Sequence, residues 1–161
     1  MIPVETDVSA EWDSRTDWPA LARSAVHAAV AASRHAGLSD NEVSVKFTSD
    51  DEVRALNAAW RGKDRATNVL SFPMAEEAEL AAAQLLGDVV LAYGVCAAEA
   101  AEKQVPVETH AAHLVVHGTL HLLGYHHETS EADAEAMEEV ERRALASIGI
   151  ADPYHVTEVE P

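Results

Sequence analysis

Residues 42–60 read EVSVKFTSDDEVRALNAAW, and within this stretch the pattern changes from that of a strand to that of a helix. Apolar and polar residues alternate over 42–48, which is the period of a strand with one buried face. The following SDDE at 49–52 has the form of a capping box, in which a serine hydroxyl and a glutamate satisfy the first amides of a helix. We therefore predict a strand followed directly by a helix that reaches about Trp60.

Three other segments have strand character. The first alternates loosely, and the other two are apolar runs rich in β-branched residues, as in buried strands. Pro73 ends the second of these segments. The four predicted strands cover residues 2–8, 42–48, 69–72 and 88–93.

Helices are predicted from their capping residues and from the breaks between them. Asp17 and Ser130 are typical N-caps, and Pro106 separates two helices that would otherwise run together. The Ala- and Glu-rich stretch between the third and fourth strands is compatible with a loop or a helix. The predicted helices run from Asp17 to near Gly37, from Ser49 to about Trp60, over 94–104, from near Glu108 to Gly124, and from Ser130 to near Gly149.

The order of these elements is βαβα, then two strands, then three helices. This order predicts an α+β fold with a mixed sheet of about four strands flanked by about five helices. A chain of 161 residues suits one domain, and no linker interrupts it, so we expect residues 1–161 to form a single domain.

Composition restricts the environment and the partners. Cys96 is the single cysteine, which excludes an intrachain disulfide and a cysteine-rich metal site. The chain has neither a basic, apolar leader nor a run near the ~18 apolar residues of a membrane span, so we expect a soluble, cytoplasmic protein without a membrane partner. A formal charge of −17, taken alone, argues against nucleic acid as a partner.

Residues 117–127 read HGTLHLLGYHH and place three histidines in the frame HxxxHxxGxxH. His117 and His121 lie four apart, on one face of a helix, and can direct two imidazoles at one ion. Gly124 can end the helix in the left-handed conformation and return His127 to the first two ligands. Three histidines predict a zinc ion with one open position, which is the arrangement of a catalytic site.

The spacing alone leaves two alternatives open. His113 lies four residues before His117 and makes a second candidate pair, although it leaves further helical turns before the chain can reverse. His126 and His127 are neighbours whose side chains diverge, and we expect one of them to bind metal. We take His127 because the frame requires it.

Metzincin proteases share this frame but have glutamate, the general base, immediately after the first histidine. Gly118 occupies that position here and cannot accept a proton. The spacing therefore predicts a metal site without the base that peptide hydrolysis needs.

The basic residues concentrate in one locus of this acidic chain. Four of the eleven, Arg54, Arg61, Lys63 and Arg65, lie between residues 54 and 65, with Asp64 as the only acidic residue there. A cationic metal and arginine together can stabilise the charge that develops at phosphorus during phosphodiester cleavage. By contrast, we interpret the acidic run after His127 as a solvated helix face.

The sequence resembles the YbeY family of bacterial rRNA maturation factors over nearly its whole length. Besides HGTLHLLGYHH, the resemblance rests on three segments in the expected order: WRGKDRATNVLSFP at 60–73, LGDVVLA at 86–92 and EAMEEVE at 135–141. It implies a single α+β domain that cleaves single-stranded RNA with one Zn²⁺ ion held by His117, His121 and His127. It also implies that Arg61 contacts the phosphate, with Lys63 and Arg65 as further candidates for substrate binding.

By the same resemblance, the cellular substrate is the 3′ end of 16S rRNA. The implied partners are components of the small ribosomal subunit and an assembly GTPase. Two residues depart from the family pattern: His126 stands where aspartate is usual, and Ala66 where proline is common. The first departure affects the surroundings of the metal rather than the fold.

Two other functions compete with this interpretation. One is a ribosome-assembly factor without catalytic activity, whose zinc holds the C-terminal helices together. Its acidic surface suits basic protein partners better than free RNA. The other is a different zinc hydrolase, such as a protease, which would need a base that Gly118 does not supply.

Overall fold

A four-stranded mixed sheet forms the centre of the structure, a computed structural model that describes residues 1–126 and 129–153. Its strands are β1 (Val4–Val8), β2 (Glu42–Thr48), β3 (Val69–Pro73) and β4 (Leu85–Ala92). Their order in the sheet is β1-β2-β4-β3. The first three of these pair in parallel, and β3 runs antiparallel along the β4 edge.

In the described part of the chain, five α-helices and one short 3-10 helix accompany the sheet. The α-helices are α1 (Trp18–Ala32), α2 (Asp50–Arg61), α3 (Tyr93–Lys103), α4 (Val107–Leu122) and α5 (Glu131–Ser147). The 3-10 helix spans Glu77–Ala82, in the Ala- and Glu-rich stretch between β3 and β4. This confirms the predicted α+β class and mixed sheet, with one short helix more than expected. No helix in the described ranges is both long and apolar enough to cross a membrane.

Capping residues set the helix starts as the sequence predicts, with one difference. The side chains of Asp17, Ser49 and Ser130 accept hydrogen bonds from amides in the first turns of α1, α2 and α5. The predicted capping box at α2 forms only its serine half. The Glu52 carboxylate instead binds Lys46 Nζ and Thr48 Oγ1, each at 2.6 Å, and so ties α2 to the end of β2.

Helix α1 ends at Ala32, so the prediction that it reaches Gly37 is wrong. Ser33 adopts an extended conformation, and its hydroxyl donates to the Val30 carbonyl at 2.7 Å. A serine hydroxyl can satisfy a terminal carbonyl in this way, which offers the backbone an alternative to another helical turn. Residues 34–37 form turns instead.

The two faces of the sheet bury different clusters. On one face, Val43, Val45 and Phe47 of β2 join Val89 and Leu91 of β4 in the main core, which α1, α4 and α5 cover. On the other face, Leu70, Val90 and Ala92 form a smaller cluster with Val53 of α2. Alternate residues of β4 thus enter different clusters, as the two-residue period of a strand requires.

Helix α4 packs closely against β3 and β4 at Gly118. A Cβ there would lie 2.7 Å from Val89 Cγ1 and 3.0 Å from Ser71 Oγ. Ser71 also donates a hydrogen bond to the Gly118 carbonyl at 3.1 Å. The absence of a side chain at Gly118 therefore lets α4, which carries the histidine frame, approach the sheet.

Candidate metal centre and substrate groove

Helix α4 brings the two predicted helical ligands together. His117 Nε2 and His121 Nε2 lie 3.1 Å apart, and the ring centroids are 4.7 Å apart. Two nitrogens bound to zinc at ~2.0–2.1 Å in tetrahedral geometry would be separated by about 3.3 Å. The separation in the structure is therefore close to that of a shared zinc ion.

The opposite ring nitrogens of both histidines face hydrogen-bond acceptors. His117 Nδ1 lies 3.1 Å from Glu141 Oε2, and His121 Nδ1 lies 2.9 Å from the Tyr125 carbonyl oxygen. Acceptors at both Nδ1 atoms place the protons there, so in the neutral rings each Nε2 carries a lone pair. Two lone pairs that face each other are repulsive unless a cation draws them together, and this donor set fits a metal ion.

The turn after α4 has the geometry that the glycine predicts. The helix ends at Leu122, and Gly124 has a φ of +98°, in the region that favours glycine. His126 is exposed, and its ring centroid lies 6.1 Å from that of His121. His127, the predicted third ligand, lies outside the described residues.

His113, the alternative partner of His117 that the spacing left open, contacts the carboxylate of Glu141. Its Nε2 lies 3.0 Å from Glu141 Oε2, the same oxygen that His117 Nδ1 contacts. His113, His117 and Glu141 together form a group close enough to hold a metal ion. Glu141 is only 1% exposed and these contacts have hydrogen-bond lengths, so we interpret the group as support for the His117–His121 pair rather than as a second centre.

The environment of Glu141 keeps its carboxylate ionised. Burial is the largest influence and by itself would raise the pKa, but the interactions with His113 and His117, chiefly hydrogen bonds, outweigh it and lower the pKa to about 2. A carboxylate at this position holds the His117 ring in one tautomer and increases the basicity of its Nε2.

The prediction that the acidic run after His127 is a solvated face is wrong at Glu141. This residue falls on the buried stripe of α5, whose other members are Met137, Val140, Ala144 and Leu145. Charged side chains are rarely fully buried unless they are paired. A single glutamate in an apolar helical frame is thus the sequence signal that could have identified it.

The His117–His121 pair lines a groove of about 620 Å³. Arg61, Lys63 and Arg65 line it, so the structure brings two of the three predicted metal ligands, His117 and His121, together with the predicted substrate residues. Two asparagines that the sequence pattern did not indicate, Asn57 and Asn68, also line the groove. Among the residues that the structure describes, the lining is Asn57, Arg61, Lys63, Arg65, Thr67, Asn68, Val69, Ser71, Pro73, His117, His121, His126 and Thr129.

Not all of the predicted basic locus reaches the groove. Arg54 pairs with Asp64, with Nε and Oδ1 2.8 Å apart, and it does not line the groove. Within residues 1–126 and 129–153, no ion pair engages Arg61, Lys63 or Arg65. Asp64 thus engages one arginine of the locus and leaves three exposed cations at the groove.

The missed asparagines shape the wall of the groove. Asn57 is 3% exposed and donates to the Arg65 carbonyl at 2.9 Å, which holds the basic loop against α2. Asn68 donates to Glu99 Oε1 at 3.0 Å, and His110 Nε2 lies 2.8 Å from the same oxygen. Burial is the main cause that lowers the pKa of His110. The sequence spacing gives no signal for these contacts, which join residues up to 31 positions apart.

Comparisons with known proteins agree with this geometry. The sequence model of the family described as "Endoribonuclease YbeY" matches residues 7–149. A protein of that name from Rhizorhabdus wittichii is 51% identical, over 98% of this chain and 99% of the relative. Another from Novosphingobium aromaticivorans is 53% identical, over 95% and 96% of the two chains.

A solved structure is similar along most of the fold. The solution structure of TM1509 from Thermotoga maritima aligns with a TM-score of 0.57 at 25% identity. The alignment covers 92% of this chain and 91% of the other.

Proposed function

The chain belongs to the Endoribonuclease YbeY family, and from this premise we propose that it is a zinc-dependent endoribonuclease acting on single-stranded RNA. Residues 1–161 form its single catalytic domain. The observation that carries the proposal is the 3.1 Å approach of His117 Nε2 to His121 Nε2 in a groove shared with three exposed cations. Neither feature alone would favour RNA, but together they suit an anionic substrate at a metal.

His117, His121 and His127 hold one zinc ion in this proposal. Zinc held there would stabilise negative charge at the phosphate and lower the pKa of a nearby water. Glu141 and the Tyr125 carbonyl fix the ring orientations of His117 and His121. This support presents both Nε2 atoms to the groove before a substrate arrives.

Arg61 contacts the scissile phosphate, and Lys63 and Arg65 contact the phosphates beside it. A guanidinium offers a planar pair of donors to phosphate oxygens, which suits Arg61 to the developing charge. The three residues lie on one short segment, so they can follow the backbone of an extended single strand.

Family membership and the charge of the chain support a proposed cellular role. We place the protein in the cytoplasm, in maturation of the 3′ end of 16S rRNA and in ribosome quality control. Its partners there are components of the small ribosomal subunit and an assembly GTPase. A net charge of −17 suits contact with basic ribosomal proteins, while the three cations remain at the groove for RNA.

Cleavage of a single-stranded RNA by zinc-loaded protein tests the proposal. We expect His121→Ala to abolish cleavage and Arg61→Ala to reduce it at least about 100-fold, the order found for loss of one stabilising donor. Arg54→Ala is the matched control, since that guanidinium is paired with Asp64 outside the groove. Equal cleavage by wild type and all three variants would reveal a contaminating nuclease and contradict the proposal.

An assembly factor with a structural zinc is the second candidate, which the acidic surface favours. Thermal unfolding with and without a chelator separates the two. A large loss of stability on zinc removal, with no cleavage by the loaded protein, would favour the structural role. Peptide hydrolysis is disfavoured because Gly118 occupies the position of the general base in metzincin proteases and supplies no proton acceptor. A glutamate side chain could not replace it without a collision with Val89.

A further inference from the structure

Tyr125, on the turn after α4, is held by Arg34 from the turn that follows α1. The Arg34 guanidinium lies over the Tyr125 ring, with Cζ 4.0 Å from the ring centroid. The Arg34 backbone amide also donates to the Tyr125 hydroxyl at 3.0 Å. Tyr125 is only 6% exposed, so its ring has little freedom to move away from these contacts.

Glu77 from the 3-10 helix fixes the guanidinium in this position. Its Oε2 accepts from Arg34 Nε at 2.6 Å and lies 2.7 Å from His35 Nε2. The same side chain lies against Gly124, where a Cβ would approach Glu77 Oε1 to 2.6 Å. Three segments distant in sequence therefore meet at the turn that follows the metal-binding helix.

The turn held in this way also supplies the acceptor for a metal ligand. The Tyr125 carbonyl oxygen lies 2.9 Å from His121 Nδ1, so its position sets the direction of the His121 ring. We propose that Arg34, Glu77 and Tyr125 form a clamp that positions His121 for metal binding, and that Arg34 and Glu77 are positioning residues for the metal centre. This inference rests on the proposed zinc site.

None of the three clamp residues lines the groove, so the clamp acts on the metal rather than on bound RNA. Loss of the clamp frees Tyr125 and widens the range of His121 orientations. Zinc affinity then falls, because a ligand that must be ordered on binding contributes less than one already in place. Binding of RNA by phosphate contacts is not expected to change in parallel.

Zinc affinity measured by competition with a chromophoric chelator tests the clamp. We expect Arg34→Ala and Glu77→Gln to bind zinc about threefold to tenfold more weakly, below the 10–100-fold typical of a direct partner of a ligand. In cobalt-substituted protein, the visible absorption should shift with the altered ligand geometry. Arg15→Ala is the control, since it breaks an exposed arginine–carboxylate pair, with 2.9 Å between Nη2 and Asp13 Oδ2.

Two conservative variants keep the test valid if Arg34→Ala does not fold. Tyr125→Phe removes only the hydroxyl, and Arg34→Lys keeps the charge but not the planar stack, so intermediate affinities are expected from both. Folded clamp variants with wild-type zinc affinity and cobalt spectrum would overturn the clamp alone. Failure of the wild-type protein to take up zinc would overturn the proposed function as well.

Discussion

His117 contacts different partners through its two ring nitrogens. Nε2 faces His121 in the groove, and Nδ1 faces Glu141 in the core. In the proposed zinc site, Nε2 binds the metal and the contact at Nδ1 fixes the orientation of the ring. Glu141 also contacts His113, so one buried carboxylate orders two histidines of the same helix.

Replacement of Glu141 by glutamine tests this assignment at the residue scale. Both imidazoles share one carboxylate oxygen, and the neutral carbonyl oxygen of glutamine is a weaker acceptor than that oxygen. We expect zinc affinity to fall about 10- to 100-fold and the free energy of unfolding to fall by about 1–3 kcal/mol. Chelator competition and urea unfolding measure the two effects.

Glu135→Gln provides the matched control for that substitution, because Glu135 is an exposed glutamate on the same helix. It should leave both quantities near the wild-type values. Unchanged zinc affinity in folded Glu141→Gln would show that the carboxylate orients nothing.

At the scale of elements, the Arg34–Glu77 ion pair joins the 3-10 helix to the turn that follows α1. The hydrogen bond from Arg34 is the largest influence on Glu77, and against the opposing effect of partial burial it lowers the pKa to about 2. A lowered carboxyl pKa means that the folded state holds the proton more weakly than the unfolded chain does. The resulting stability is present above the ordinary pKa of 4.5 and is lost as the pH falls towards 2.

Stability as a function of pH in wild type and Glu77→Gln tests this connection. Since the Glu77 side chain is 38% exposed, solvent screening limits the expected advantage of wild type to about 1 kcal/mol or less near neutral pH. Urea unfolding at several pH values should show the advantage shrinking between about pH 4.5 and pH 2. A difference that stays constant over this window would contradict a role for the ionised carboxylate.

For the whole molecule, the distribution of charge matters more than its sum. A net charge of −17 repels polyanions at a distance, yet Arg61, Lys63 and Arg65 meet at one groove. Arg54 is near them in sequence but is neutralised by Asp64. RNA binding should therefore depend on these three contacts and weaken with salt accordingly.

The salt dependence of binding measures that number of contacts. For single strands, log K falls with log salt concentration at about 0.7 per phosphate contact, so three contacts predict a slope of about −2. The Lys63→Ala, Arg65→Ala double variant should lower its magnitude to about 0.7. Fluorescence anisotropy of a labelled 2′-O-methyl oligoribonucleotide gives the slopes, and Arg54→Ala should match wild type. A double variant that kept the full slope would remove Lys63 and Arg65 from the RNA interface.

The sequence by itself determined the elements and the spacing of the metal frame. Strands and helices follow from periods of two and 3.6 residues, and Asp17, Ser49 and Ser130 cap helices where predicted. The four-residue separation of His117 and His121 likewise follows from one helical turn. The helix caps, the strand and helix periods and the histidine spacing all depend on residues that are close in the chain, so the sequence pattern alone can predict them.

Only the tertiary structure decided the strand order and the surroundings of the site. Packing of α5 buries Glu141 beside histidines 24 and 28 positions away, and Arg34 meets Tyr125 across 91 positions. Arg54 belongs to the basic locus in the sequence, but its pairing with Asp64 neutralises it in the structure. The physical reason is that burial and ion pairing depend on which distant segments of the chain come into contact. Local periodicity in the sequence does not specify those contacts.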